Sequence, residues 1–422
     1  MAKIKQIFAY EVIDSHAIPT LEGVLTLDNG ISVVSSVPTN VNPSRYEAIE
    51  LRDNNPQEYD GLGLKTAVSY INNGISPKLT NVDPLKLNAI DLWLIKADGT
   101  KNKSKLGVNT VLLISQLIAK AAAASQNLPL FRFLNQYYNQ LFNQSLKIER
   151  LPSTIFNMIN GGKHANNNLE IQEFQIIPST GFSFSQSYQT AVIIFNQLKE
   201  TILQYAASTA VGDEGGFTPS LSSNIDALEI IFETISKKNL RIGLDVFFGL
   251  DVAANKFFKN NHYLLKESAR PLNTNDFLNY LSNLLKKYNF LAIEDPFADD
   301  DWKGWQSFYS QYGNDIYIIG DDLTVTNYER LEKAIKNRLI NSISIKPNQI
   351  GTVTEVLKVI NLAKKNKINV IISHRAGESN ETFLADLALA VQADFVKFGA
   401  PCRGERVAKY NRLLQIEKTE LK

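Results

Sequence analysis

The sequence predicts an α/β barrel preceded by a small α+β domain, on three observations. Eight short apolar runs recur over the last two thirds of the chain. From the third onward, amphipathic helical stretches such as IDALEIIFETISKK and TEVLKVINLAKKN separate them. Six of the runs end directly in a charged or ionisable residue. Alternating strands and helices specify a parallel sheet, and eight such units can close into a barrel. An open doubly wound sheet is the alternative, but the chain lacks the glycine fingerprint that such a sheet uses for a dinucleotide.

The bulk numbers exclude several function classes. A chain of 422 residues, 44% apolar and 21% charged, has ordinary globular composition and room for two or more domains. A formal net charge of +1 gives no basic excess for nucleic acid or an anionic membrane. The single cysteine, Cys402, excludes an internal disulfide and points to a reducing, cytoplasmic compartment. Glu11 and Asp14 interrupt any signal-like stretch, and no run of eighteen apolar residues occurs, so no membrane span is expected.

The first domain is expected over 1–145. Strands at Ile4–Ile13, Leu21–Leu27 and Ile31–Val37 come first, the last two joined by the turn Asp28-Asn29-Gly30. Helical periodicity follows over 61–75, 84–95 and 107–125. A polar, Asn-rich segment near 139–150 leads to Pro152 and opens the second domain, 146–422. Its strand-like runs are 153–159, 173–178, 241–251, 290–295, 316–322, 342–346, 369–374 and 395–399. Only about a dozen residues separate the first two, too few for a crossover helix. Those two strands are therefore expected antiparallel, with their helices displaced to 183–206 and 221–239.

The strand ends carry the chemistry. Asp251, Glu294, Asp321, Lys346, His374 and Lys397 each follow an apolar run. One polar strand end means little, but six in succession would converge on the mouth of the barrel. Three of them are carboxylates, which repel one another unless a cation sits among them. All-oxygen ligation favours Mg²⁺ over Zn²⁺, since only four histidines and one cysteine are present. The bland alternative is salt bridging to Lys346 and Lys397. Crowded by positive charge, a lysine there would lose pKa and serve as a general base. GDEGGFTP (212–219) would bring Asp213 and Glu214 opposite, while NGGKHANN (160–167) and Gln172-Glu173-Phe174 would deliver His164, Gln172 and Glu173. Singly, an acidic turn or a satisfied histidine is the commoner reading of such residues.

The segments NMINGGKHANNN, QEFQIIP, VGDEGGFTP, GLDVAANKFF, AIEDPFADDDW, GDDLTVTN, SIKPNQIGT, ISHRAGES and KFGAPCRGERVAKYN resemble the signature segments of the enolase family, in that family's order. DSHAIPTLE and YEAIELRDNN resemble its smaller N-terminal domain, so the likeness spans nearly the whole chain. The resemblance implies an enolase-type barrel whose first two strands lack a crossover helix, and Mg²⁺-dependent, reversible dehydration of 2-phosphoglycerate to phosphoenolpyruvate in glycolysis. It implies that Asp251, Glu294 and Asp321 hold one Mg²⁺, with a second, substrate-dependent Mg²⁺ near Asn42. By the same likeness Lys346 is the base and Glu214 the acid, with Glu173 beside it. His164, Gln172, His374, Arg375 and Lys397 bind or polarise the substrate. Two alternatives stay open: a weakened homologue kept for a binding role, with a cell-surface or secreted fraction, and a related lyase acting on a different carboxylate.

Some positions depart from the family pattern. VPTNVNPSRYEA at 37–48 stands where the family has VPSGASTGxYEA, so two glycines are lost, Pro43 is gained and Asn42 replaces a metal-ligating serine. Both glycine loss and proline gain stiffen a loop that closes over substrate. Ala376 removes a phosphate-site hydroxyl, Phe398 replaces a threonine and Lys256 replaces a glutamate. His16 and Lys418 stand where the family's homodimer pairs arginine with glutamate, so any homodimer or higher homo-oligomer is expected to be weaker.

Overall fold

Three antiparallel strands open the chain in the computed structural model, which describes residues 2–39 and 43–421. They are β1 (Ile4–Ile13), β2 (Pro19–Leu27) and β3 (Ser32–Ser36), ordered β1-β2-β3. Alternation in β2 turns Leu21, Leu25 and Leu27 inward. Helix Val108–Ser125 lies under this sheet. Polar residues such as Asn109, Gln116 and Lys120 interrupt its apolar run, and although its length and mean hydropathy would suffice to cross a bilayer, 83% of it is buried inside the protein. That burial marks the core helix of a globular domain. A further helix, Leu130–Phe142, occupies ground the sequence reading assigned in part to a linker. Four of its five aromatic residues, Phe131, Phe133, Tyr137 and Tyr138, are buried, and Phe142 is half-buried.

The closed barrel has eight strands: β4 (Ser153–Asn160), β5 (Glu173–Pro178), β6 (Val246–Asp251), β9 (Phe290–Glu294), β10 (Tyr317–Gly320), β11 (Ser342–Ile345), β12 (Asn369–Ser373) and β13 (Phe395–Lys397). Their order around the ring is β10-β11-β12-β13-β4-β5-β6-β9. A two-residue ribbon, β7 (Phe258–Lys259) with β8 (His262–Tyr263), sits in the loop after β6. Residues 241–245, expected within a strand, instead form a turn closed by Arg241 on Asp245.

Strand β5 runs antiparallel to both β4 and β6, while the other neighbouring pairs are parallel. The short β4–β5 connection forces this, and the displaced helices are Phe184–Gln204 and Asn224–Lys237. Both begin with a capping box, Ser183 with Gln186 and Ser223 with Asp226. Ile155, Ile177, Ala292, Ile319, Ile371 and Phe395 fill the barrel interior, so it is a packed core closed below the site.

Candidate active site

Register places the acids in one row. Asn160 pairs with Glu173, Glu173 with Asp251, and Asp251 with Glu294, across four neighbouring strands. Because β5 runs the other way, its first residue rather than its last reaches the mouth, which brings Gln172 and Glu173 there. Asp321, Lys346 and His374 each follow the last residue of β10, β11 and β12, and Lys397 ends β13. These residues, Asn160 and Glu294 excepted, line a cavity of about 380 Å³ together with His164, Asp213, Glu214 and Arg375. The first domain contributes His16, Thr39, Ser44 and Glu47 to its walls. Asn42 lies outside the described residues.

At the centre, the Lys397 ammonium meets Glu294 at 2.6 Å, Asp251 at 3.1 Å and Glu173 at 3.2 Å. Burial works against its charge, but these carboxylates hold its pKa well above the ordinary lysine value. Gln172 donates to Asp251 at 3.2 Å, so its amide orients that acid in this state. Asp321 accepts from Lys346 and from Gln349, the latter at 3.1 Å. Burial lifts Asp251 to about 6 and Glu294 to about 8, neighbouring acids adding to the push that Lys397 resists. Asp321 goes the other way, to about 2, because Lys346 and Lys397 outweigh its burial.

The expected drop in lysine pKa does not occur. Burial pushes Lys346 down, but the adjoining Asp321 outweighs it and the net direction is upward. The reason is local: Lys346 faces an anion before it faces Arg375 or Lys397.

The carboxylate set fits a hard cation. Asp251, Glu294 and Asp321 offer oxygen alone, and the buried Glu294 Oε1 has no hydrogen-bond partner. Among the described residues, the acids whose oxygens lie within 4.8 Å of one another are Asp295, Asp321 and Asp322. Asp295, however, spends both oxygens on the backbone N–H groups of Asp321 and Asp322, at 3.0 and 2.8 Å. Asp322 accepts from Ser44 and, at 3.1 Å, from Asn255. That trio is a hydrogen-bonded brace, which leaves Asp251, Glu294 and Asp321 as the better ligand set. Reading the doubled acids Glu294-Asp295 and Asp321-Asp322 as pairs with divided roles would have found the brace.

Across the cavity stand Glu173 and Glu214. Asn157 donates to Glu214 Oε2 at 3.0 Å and Gln175 to Glu173 Oε2 at 2.8 Å. Burial and the Glu214 charge push Glu173 up, whereas His164, Lys397 and Arg406 overcome burial and hold Glu214 down. The two carboxyls thus respond in opposite directions, and the proton they exchange belongs to the pair. Gly215, at φ +87°, turns the chain where a Cβ would meet Cys402 O at 2.9 Å, and Ala400 N–H then binds Glu214 O.

Two histidines face Glu214 Oε1: His374 Nε2 at 3.5 Å and His164 Nε2 at 3.8 Å. Arg406 donates to His374 Nδ1 at 2.7 Å, and a guanidinium cannot accept, so the His374 proton sits on Nε2. Burial, Arg406 and the lysines keep His374 neutral, well below the usual histidine range. His164 moves up, because Glu214 and Asp213 outweigh its burial. Arg375 Nη2 binds Glu47 at 2.9 Å, which ties the first domain to the barrel mouth. The positioning residues Asn157, Gln175, Gln349 and Arg406 carried no sequence signal beyond ordinary strand or helix polarity.

Residues 4–134 match the sequence-family model described as the enolase N-terminal domain, and residues 148–421 match that of the enolase C-terminal TIM barrel domain. This chain belongs to the enolase family. The enolase of Ehrlichia ruminantium (strain Welgevonden) is 41% identical over 416 residues, covering 99% of this chain and 96% of that protein. The enolase of Ehrlichia canis (strain Jake) is 40% identical over 415 residues, covering 98% and 96%. Enolase-family membership agrees with an antiparallel N-terminal sheet ahead of a closed eight-stranded barrel.

Proposed function

We propose that this enolase-family chain is a phosphopyruvate hydratase, a lyase that interconverts 2-phosphoglycerate and phosphoenolpyruvate with magnesium. The observation that carries the residue roles is the placement of base and acid. Lys346 follows β11 and Glu173 opens β5, four places apart in a ring of eight strands. A substrate between them meets an amine on one side and a carboxyl pair on the other.

Lys346 Nζ takes the C2 proton. The freed electron pair becomes the C2–C3 double bond as the C3 hydroxyl leaves, protonated to water by the Glu173–Glu214 pair. A proton beside a carboxylate is weakly acidic, so the dianionic intermediate needs concentrated positive charge. Lys397 supplies part of it, and Arg375 meets the phosphoryl group once Glu47 yields it. Neutral His374 donates from Nε2, Gln172 orients Asp251, and His164 partners Glu214. Asp251, Glu294 and Asp321 would hold magnesium, which would supply positive charge against the negative charge developing on the substrate carboxylate; the family likeness implies a second, substrate-dependent ion. Lys346 can accept the C2 proton only when the Asp321 carboxylate no longer holds its ammonium.

The free thiol Cys402 suits a reducing cytoplasm. Self-association is weaker than the family pattern, since His16 and Lys418 lack its opposite charges. Purified protein with Mg²⁺ and 2-phosphoglycerate should develop phosphoenolpyruvate absorbance. Lys346→Ala should lower kcat by about 10²–10⁴-fold, the usual contribution of a general base. Turnover in that variant close to wild type would remove Lys346 from the mechanism.

A further inference from the structure

Two lysines at the rim of the cavity have no part in the chemistry above. Lys163 lies in the 3₁₀ turn Gly162–His164 that follows β4, and Lys256 in the turn Ala254–Phe257 that follows β6. Only β5 separates those strands in the ring, so both turns stand on one sector of the mouth, and both side chains line the cavity. Lys163 is exposed and Lys256 half-buried.

Neither lysine makes an ion pair among the described residues. The acid that acts on Lys163 is Asp322, yet it lies beyond ion-pairing distance and already accepts from Ser44 and Asn255. The charge of Lys256 holds the pKa of Lys163 below the ordinary lysine value, with burial adding to it, so the two ammonium groups feel each other. Like charges left together without a counter-ion repel, and a ligand oxyanion between them relieves the repulsion. Lysine serves as a point-charge contact for phosphate, with no need for bidentate geometry.

We propose that Lys163 and Lys256 form a rim subsite for the phosphoryl or carboxylate group of a small multiply charged acid, separate from the carboxylate-lined floor. The subsite raises the local concentration of anionic substrate at the mouth and gives compounds with a second phosphoryl group an added point of attachment. It builds on the phosphopyruvate hydratase reading for its natural ligand, but the binding itself can be tested without turnover.

The test uses the full chain and the double variants Lys163→Ala/Lys256→Ala and Lys163→Arg/Lys256→Arg. Binding of inorganic pyrophosphate is measured by calorimetry in the presence of a chelator. The alanine pair should bind at least about five-fold more weakly and the arginine pair close to wild type, as loss and retention of local positive potential require. In turnover assays the alanine pair should raise KM with kcat little changed. It should also flatten the fall of kcat/KM with ionic strength. Equal pyrophosphate binding by wild type and the alanine pair overturns the subsite. So does an unchanged salt dependence in an active enzyme. A wild-type protein that binds pyrophosphate through these lysines but forms no phosphoenolpyruvate sinks the catalytic reading and leaves the subsite standing.

Discussion

At the scale of single residues, Glu294 shows how far side-chain chemistry could be read in advance. Its place at the end of an apolar run marked it as a mouth carboxylate, and the structure adds that one of its two oxygens is buried without a partner. Burial lifts its pKa to about 8. Lys397 at 2.6 Å already resists that rise, so full ionisation at neutral pH calls for further positive charge, by the functional reading magnesium. Glu294→Gln keeps the shape and removes the charge. It should raise the Mg²⁺ concentration needed for half-maximal turnover by at least about ten-fold, the scale on which disturbed ligand shells lose metal. An unchanged Mg²⁺ requirement would take Glu294 out of the ligand set. What the sequence could not display was pairing. Lys346 was expected to be crowded by cations, yet its nearest neighbour is the Asp321 carboxylate, a contact made by strands twenty-odd residues apart. Likewise Glu214 is held down while Glu173 is pushed up, because only folding brings His164 and Arg406 around one partner of that pair.

Among the elements, the barrel strands were legible because each is short, apolar and closed by a charge, and because the β4–β5 spacing forbade a parallel crossing. Less legible was helix Leu130–Phe142, whose asparagines and glutamines resemble a linker until Tyr137 is seen buried against Thr354. That contact belongs to a junction between the first domain and the barrel. Asp91, on helix Leu87–Asp98, accepts from the backbone N–H of Thr354 at 3.0 Å and from its hydroxyl at 2.5 Å. Thr354 lies in the first turn of helix Val353–Lys365, so a side chain from one domain satisfies an amide left open at a helix start in the other. Burial raises Asp91 to about 6, against hydrogen bonds from Thr354 and Ser115 that favour its charged form. A carboxyl raised on folding takes up a proton between its ordinary pKa and about 6. Its stabilising contribution therefore grows as pH falls through that window and fades above it. Two pKa units correspond to about 3 kcal/mol. Asp91→Asn cannot titrate, so in urea unfolding the wild type should gain on the variant between pH 7 and pH 5. A stability gap that ignores pH would show that Asp91 takes up no proton on folding in that range.

For the molecule as a whole, the cavity joins the two domains: sheet-end loops of the first domain, through His16, Thr39 and Glu47, close over the mouth of the same chain's barrel. Thr39 bridges to Gly377, and Ser15 N–H binds Glu378 O at 2.9 Å, so the two domains meet through backbone as well as side chains. His16 is turned inward, its Nε2 3.5 Å from Asp213 of the same site. Lys418 lies 3.4 Å from Glu417. Neither residue presents the charge that an arginine–glutamate contact between copies would need. Exposed ion pairs are individually weak, and the loss matters here because both members are replaced at once. Association should therefore be readily reversible, with a monomer fraction in sedimentation velocity that rises on dilution. Specific activity should hold steady across the same dilution, because the first-domain residues in the cavity wall come from the same chain as the barrel. A dimer that persists at the lowest detectable concentration would contradict the first expectation. Activity that falls in step with dissociation would show instead that a second copy holds the first-domain loops in place over the mouth.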